Sequence, residues 1–117
     1  MRYMMLIYQG TTPLPSTPEW DALSDEEKGA IYAGYQDLNE TSGVEPGERM
    51  AGPAMATTVR VSGGAPITTD GPFVEIKEAV GGYFFLDAED LDTAIEVAAK
   101  VPAAKLGGAV EIRPIGA

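Results

Sequence analysis

Asp70, Glu75, Lys77 and Glu78 crowd into one short stretch, and carboxylates beside a lysine are the residue types from which acid–base chemistry is built. A nearby ammonium lowers one carboxyl's pKa while a second carboxylate raises another's, so such a group can both give and take a proton. Asp70 and Lys77 are therefore the candidate catalytic residues, with Glu75 and Glu78 as candidate substrate contacts beside them. The same string also reads as a turn, Asp70-Gly71-Pro72-Phe73, followed by a solvated charge run. Asp bonds its own downstream backbone, Gly accepts unusual φ and Pro fixes φ.

Two arginines offer a different chemistry. Arg60 alternates with Val59 and Val61, and Glu111 and Arg113 alternate with Val110 and Ile112, so each ionic group points away from the core if the aliphatic ones point into it. On that reading Arg60, Glu111 and Arg113 line one pocket, where a guanidinium fork holds a carboxylate or an enolate. An Arg–Glu ion pair within the sheet is the alternative. Asp70, Glu75 and Glu78 would suit Mg or Ca as an oxygen-only set, but neither a metal nor a cofactor is expected. Thr57, Thr58 and Ser62 could be activated only by Lys77, and Tyr8 and Tyr83 are read mainly as packing aromatics.

The elements that must position these groups belong to one domain over residues 1–117, a length at which one core forms. With no His and no Cys, the chain cannot build a Ser-His-Asp or Cys-His site, a His or Cys zinc site, or a disulfide. Eight basic against eighteen acidic residues give a net charge of −10, which repels phosphate backbones and anionic membranes. Nucleic acid and membrane partners are not expected. The apolar run in MRYMMLIYQG is short for a secretory signal, and no later run approaches the roughly 20 residues of a membrane span. A cytoplasmic protein is the expectation.

Residues 2–8 and 83–86 are apolar on both parities and read as strands covered on both faces. Between them, Gly10 to Pro18 is a proline-rich loop closed by Trp20, and Ser24-Asp25-Glu26-Glu27 opens a helix as a capping box. Its apolar stripe is Ile31, Tyr35 and Leu38, and Gly43 stops it. Val44 to Gly52 reads as loop. Residues 57–61 and 66–69 form a hairpin around Ser62-Gly63-Gly64. Asp87 to Asp90 caps a second helix with the stripe Leu91, Ala94, Ile95 and Ala98, ended by Pro102. Residues 109–115 are the last strand.

The order is β-α-β-β-β-α-β, an α+β fold that reduces to the ferredoxin-like split βαβ pattern with an extra β-hairpin. Both helices then cover one sheet face. The other face would leave apolar surface bare on a monomer, so a homodimer through the sheet is expected, with long loops folded over it as the alternative.

The stretch TTVRVSGGAPITTDGPFVEIKEAVGG, residues 57–82, resembles the DGPF branch of the YCII-related proteins. Its marks are a TVR strand, DGPF followed by an acidic residue and a Lys-Glu pair, and paired Gly before an aromatic strand. The MLIY opening, the Pro-terminated second helix and the closing EIRPI strand fit as well. The resemblance implies a ferredoxin-like domain that dimerises as a dimeric α/β barrel. It also implies an acid–base Asp near the turn matched by Asp70-Gly71-Pro72, paired in the wider group with a His near the first helix. This chain has no His, so that pair is incomplete. Members of the branch are often encoded beside extracytoplasmic-function sigma factors. Two functions follow: binding of a small acidic or aromatic metabolite, with lyase- or hydrolase-like chemistry at Asp70 and an anion clamp at Arg60, or a non-catalytic accessory role in a sigma-factor system.

Overall fold

The computed structural model of the chain describes residues 1–75 and 78–116, so Lys77 lies outside the described residues. Strand β1 (Arg2–Tyr8) is the second strand from one edge of an antiparallel four-stranded sheet, whose other members are β2 (Val44–Arg49), β5 (Val80–Asp87) and β6 (Ala109–Ile115) in the order β2-β5-β1-β6. That order, with α2 (Asp25–Glu40) joining β1 to β2 and α3 (Leu91–Ala99) joining β5 to β6, is the split βαβ arrangement. A short α1 (Pro18–Asp21) precedes α2, and α4 (Pro102–Lys105) follows α3. Strands β3 (Thr57–Ser62) and β4 (Ala65–Asp70) form a separate two-stranded arm.

The two-faced strands divide their side chains cleanly. Tyr3, Met5 and Ile7 of β1 and Phe84 and Leu86 of β5 are buried against α2, α3 and α4, with Leu38, Ala94, Val97, Val101 and Ala103 completing the core. Met4, Leu6, Tyr83 and Phe85 point to the other face and are half-buried there. No helix of the described chain lies over that face.

The capping box at Ser24 is formed: the Glu27 amide donates to Ser24 Oγ at 3.1 Å, and the Ser24 amide donates to the Glu27 carboxylate at 3.0 Å. Yet α2 packs loosely, with Leu38 its one fully buried residue and Ile31 and Tyr35 half-buried. The other helical half is tight. There the buried stripe is Ala94, Val97, Ala98 and Val101, a rotation from the expected one, since Leu91 and Ile95 are about half exposed. Small side chains let α3 approach the sheet closely, so the alanine side wins over the side with more carbon. Pro102, expected only to end that helix, starts α4 at its first position, where a missing amide costs nothing.

The segment expected as a loop after Gly43 contains the edge strand β2, paired to β5 through Val44, Glu45, Pro46 and Arg49. An edge strand bonds on one side only, so Pro46 and the polar composition are tolerated. Arg2 fastens it from across the sheet: its guanidinium lies over the Phe85 ring and reaches Glu45 at 2.6 Å. The hairpin turn is as expected, with Gly63 and Gly64 at φ 60 and 80°, the pair of positive values a type I′ turn needs. The arm does not continue the main sheet, however, and Val59 and Val61 face solvent rather than a core.

Candidate functional site

A cleft of about 300 Å³ opens between α2 and the β2–β5 side of the sheet. Its roof is the apolar stripe of α2, Ile31, Tyr35 and Leu38. Leu38 is the one fully buried residue of α2, and the space beneath the rest of its stripe is left open. The floor is Ile7, Phe84 and the pair Gly81-Gly82. Gly82 stands opposite Ile7 in the ladder, on the helix-covered side, and its missing side chain is part of the hollow. A Cβ at Gly81 would collide with the Gln9 side chain, with Nε2 only 2.7 Å away; glycine there lets the amide reach the cleft.

The side wall is the loop after β1, with Pro13, Leu14 and Pro15, and it ends on Trp20. Thr12 pins this wall to the turn before β6: its hydroxyl donates to the Leu106 carbonyl at 3.3 Å, and its amide donates to the Gln9 carbonyl. Thr17 caps α1 by accepting from the Trp20 amide at 3.3 Å, which sets the indole against the cleft. Trp20 meets Tyr32 edge to face, with ring centroids 5.4 Å apart. Asn39, Glu48 and Arg49 stand at the rim. No carboxylate pairs with Arg49 among the described residues. Burial pushes the Tyr35 phenol up from its ordinary value, the Ala103 backbone opposing in part, so it stays a proton donor. The chemistry on offer is an apolar, aromatic-walled slot with amide and phenol donors inside and one guanidinium at the mouth.

The residues singled out from the sequence lie elsewhere. Asp70 ends β4 and is exposed. The turn after it is held by backbone and hydroxyl: the Gly71 amide donates to the Ala56 carbonyl at 2.6 Å, and the Thr58 hydroxyl donates to the Gly71 carbonyl at 2.8 Å. Gly71 has φ +95°, which a residue with a Cβ rarely adopts. Glu75 and Glu78 are exposed and joined by a backbone bond from the Glu78 amide to the Glu75 carbonyl. Among the described residues, no group of three His, Cys, Asp or Glu is placed to hold a metal ion.

Arg60 lies on the arm, its guanidinium 4.7 Å from the centre of the Phe73 ring. Glu111 and Arg113 are instead on β6, paired through Leu6 and Met4 of β1 to the uncovered sheet face. They form an ion pair, and Tyr8 donates to Glu111 at 3.0 Å. Arg113 first and Tyr8 second hold the Glu111 carboxyl below its ordinary value, while the bond to Glu111 raises the Tyr8 phenol. So Glu111 and Arg113 come together, and in the single chain Arg60 does not join them.

Sequence reasoning passed over the cleft residues Gln9, Thr12, Tyr32, Asn39 and Arg49. Two signals pointed there: a proline-stiffened loop closing on the chain's single Trp, and two glycines just ahead of an aromatic strand.

A family model described as YCII-related domain matches residues 1–116. The chain is also 31% identical over 120 residues to "Uncharacterized protein R00369" of Rhizobium meliloti (strain 1021), a similarity that spans 98% of this chain and 92% of that protein. No helix among the described residues is long and apolar enough to cross a membrane.

Proposed function

The chain belongs to the YCII-related family, and on that footing we propose that it binds a small aromatic acid in the cleft beneath α2. The observation that carries this reading is the cleft's lining: rings from Trp20, Tyr32, Tyr35 and Phe84 around about 300 Å³, with Arg49 unpaired among the described residues at the mouth. Pockets of that volume with apolar walls and a few convergent polar groups are the ordinary form of small-molecule sites. A planar ring would lie against the aromatic walls, and its carboxylate would meet the guanidinium. The loop wall is stiffened by Pro13 and Pro15 and tied at Thr12, so little ordering is lost on binding.

The proposal includes assignment to the DGPF branch and a homodimer through the uncovered sheet face, supported by Met4, Leu6, Tyr83 and Phe85 lying side by side there. The described members of the set Asp70, Arg60, Glu75, Glu78, Glu111 and Arg113 are not among the cleft-lining residues, and acid–base roles for Asp70 and Lys77 rest on spacing and resemblance.

Trp20, the single tryptophan, reports on the cleft directly. Titration with benzoate should change its emission saturably, benzamide should bind about fivefold more weakly, and Arg49→Gln should erase that difference. Emission that changes only linearly with added benzoate would defeat the reading.

A further inference from the structure

The arm of β3 and β4 is the least explained part of the molecule. Of its twelve strand residues only Thr58 is even partly covered, and Val59, Val61 and Ile67 are 59, 71 and 51% exposed. Val59 and Val61 share one face of the arm with Pro66 and Thr68, while Ile67 lies on the other beside Arg60, so both faces carry bare apolar groups. A lone two-stranded hairpin is marginal in water and needs a further surface to pack on.

The whole chain shows the same deficit. Its accessible surface is 7666 Å², against about 6,100 Å² for a compact monomer of this mass. The radius of gyration is 16.0 Å, against about 13.4 Å expected for a compact chain of this length, and the molecule is only 18 Å thick. The excess surface of about 1,600 Å² per chain lies in the range that obligate homodimers bury. The uncovered sheet face does not supply it alone: four strands averaging seven residues present a footprint of roughly 450 Å². The arm, exposed along both strands and carrying bare apolar groups on both faces, offers further surface for the remainder.

We propose that the β3–β4 arm is the clasp of a homodimer, laid against a second copy of this chain. A second copy is favoured over a foreign partner by the excess surface, which matches what a homodimer buries per chain, and charge permits it. The chain carries −10, so two copies repel unless they meet through neutral surface, and the arm's strands hold one Arg60 and one Asp70 and no other charge. Two-fold symmetry would engage both arms at once and continue the contact begun by the sheet faces. The inference rests on the homodimer reading above.

Sedimentation equilibrium and hydrogen exchange on the full chain test it. The wild type should associate at micromolar concentration, and amide protection over residues 57–70 should rise with association in step with that of β1 and β5. The double substitution Val61→Lys/Ile67→Lys, on solvent-facing positions, should weaken the dimer at least about tenfold while leaving the far-UV spectrum unchanged. A dimer whose arm amides exchange freely, and whose constant stays within about twofold in the double variant, would overturn the clasp and leave the sheet-face dimer standing. A wild type that remains monomeric would overturn both.

Discussion

The cleft under α2 and the arm that carries Asp70 are opposites. The cleft is concave, aromatic and poor in charge, and its walls come from four separate stretches of chain. The arm is exposed along both strands, Asp70 ends it, and Glu75 and Glu78 lie exposed in the connection that follows. Asp70, Glu75 and Glu78 thus line neither the cleft nor the more open hollow of about 350 Å³ beside the arm root, walled by Met50, Met55, Pro72 and Val74, and the cleft lies among residues that are individually ordinary. Desolvation and convergence of groups make a site; a run of ionisable residues in sequence supplies neither.

The sharpest test of that contrast uses the same side chain in both regions. Phe84 is 2% exposed on the cleft floor and Phe73 is 69% exposed beneath Arg60. Phe84→Ala should cost about 3–5 kcal/mol of stability, as a core cavity does, whereas Phe73→Ala should cost under about 1 kcal/mol, the worth of an exposed cation–π contact. Chemical denaturation measures both. Equal losses would mean that the arm root is as well packed as the core.

Backbone conformation gives the next effect. Gly71→Ala forces a Cβ into φ +95°, a strain of about 1–3 kcal/mol. It should raise amide exchange in residues 57–70 and leave the Trp20 emission untouched. Asp70→Asn should change neither if the residue serves only the turn.

A smaller effect comes from the roof. Ser24→Ala removes the cap of α2 and should cost about 1 kcal/mol in thermal unfolding, without altering exchange in the arm.

The last is a pH dependence on the uncovered sheet face. Since Arg113 and Tyr8 hold the folded Glu111 below the ordinary glutamate value of 4.5, its contribution to stability is present above that value. It is lost as pH falls through the folded pKa. Tyr8 is raised from 10.0, so its share is present below that pH and is lost as pH rises through the higher folded value. Unfolding followed against pH should show a shallower acid limb in Glu111→Gln.

How far the sequence foretold this molecule depended on whether the deciding interactions were local. The capping box at Ser24, the Gly63-Gly64 turn and the two-parity strands at residues 2–8 and 83–86 were legible because each is set by neighbouring residues or by simple alternation. Strand β2 was not, since an edge strand with Pro46 has neither the composition nor the alternation of a central one, and pairing with β5 alone defines it. Half of the expected α3 stripe holds: Ala94 and Ala98 face in, whereas Leu91 and Ile95 are about half exposed, because closeness of approach decides which side packs. The cleft was illegible for a further reason: Gln9, Asn39 and Arg49 acquire meaning only when α2 stands off the sheet above two glycines.

The central claim, that the cleft and not the arm root takes the ligand, is tested most directly by mapping amide chemical shifts of the ¹⁵N-labelled chain during a benzoate titration. Saturable shifts centred on Trp20, Tyr35, Arg49, Gly81 and Gly82, with residues 57–71 unmoved, are the predicted result. Shifts centred on Arg60, Asp70 and Gly71, with the cleft silent, would contradict it.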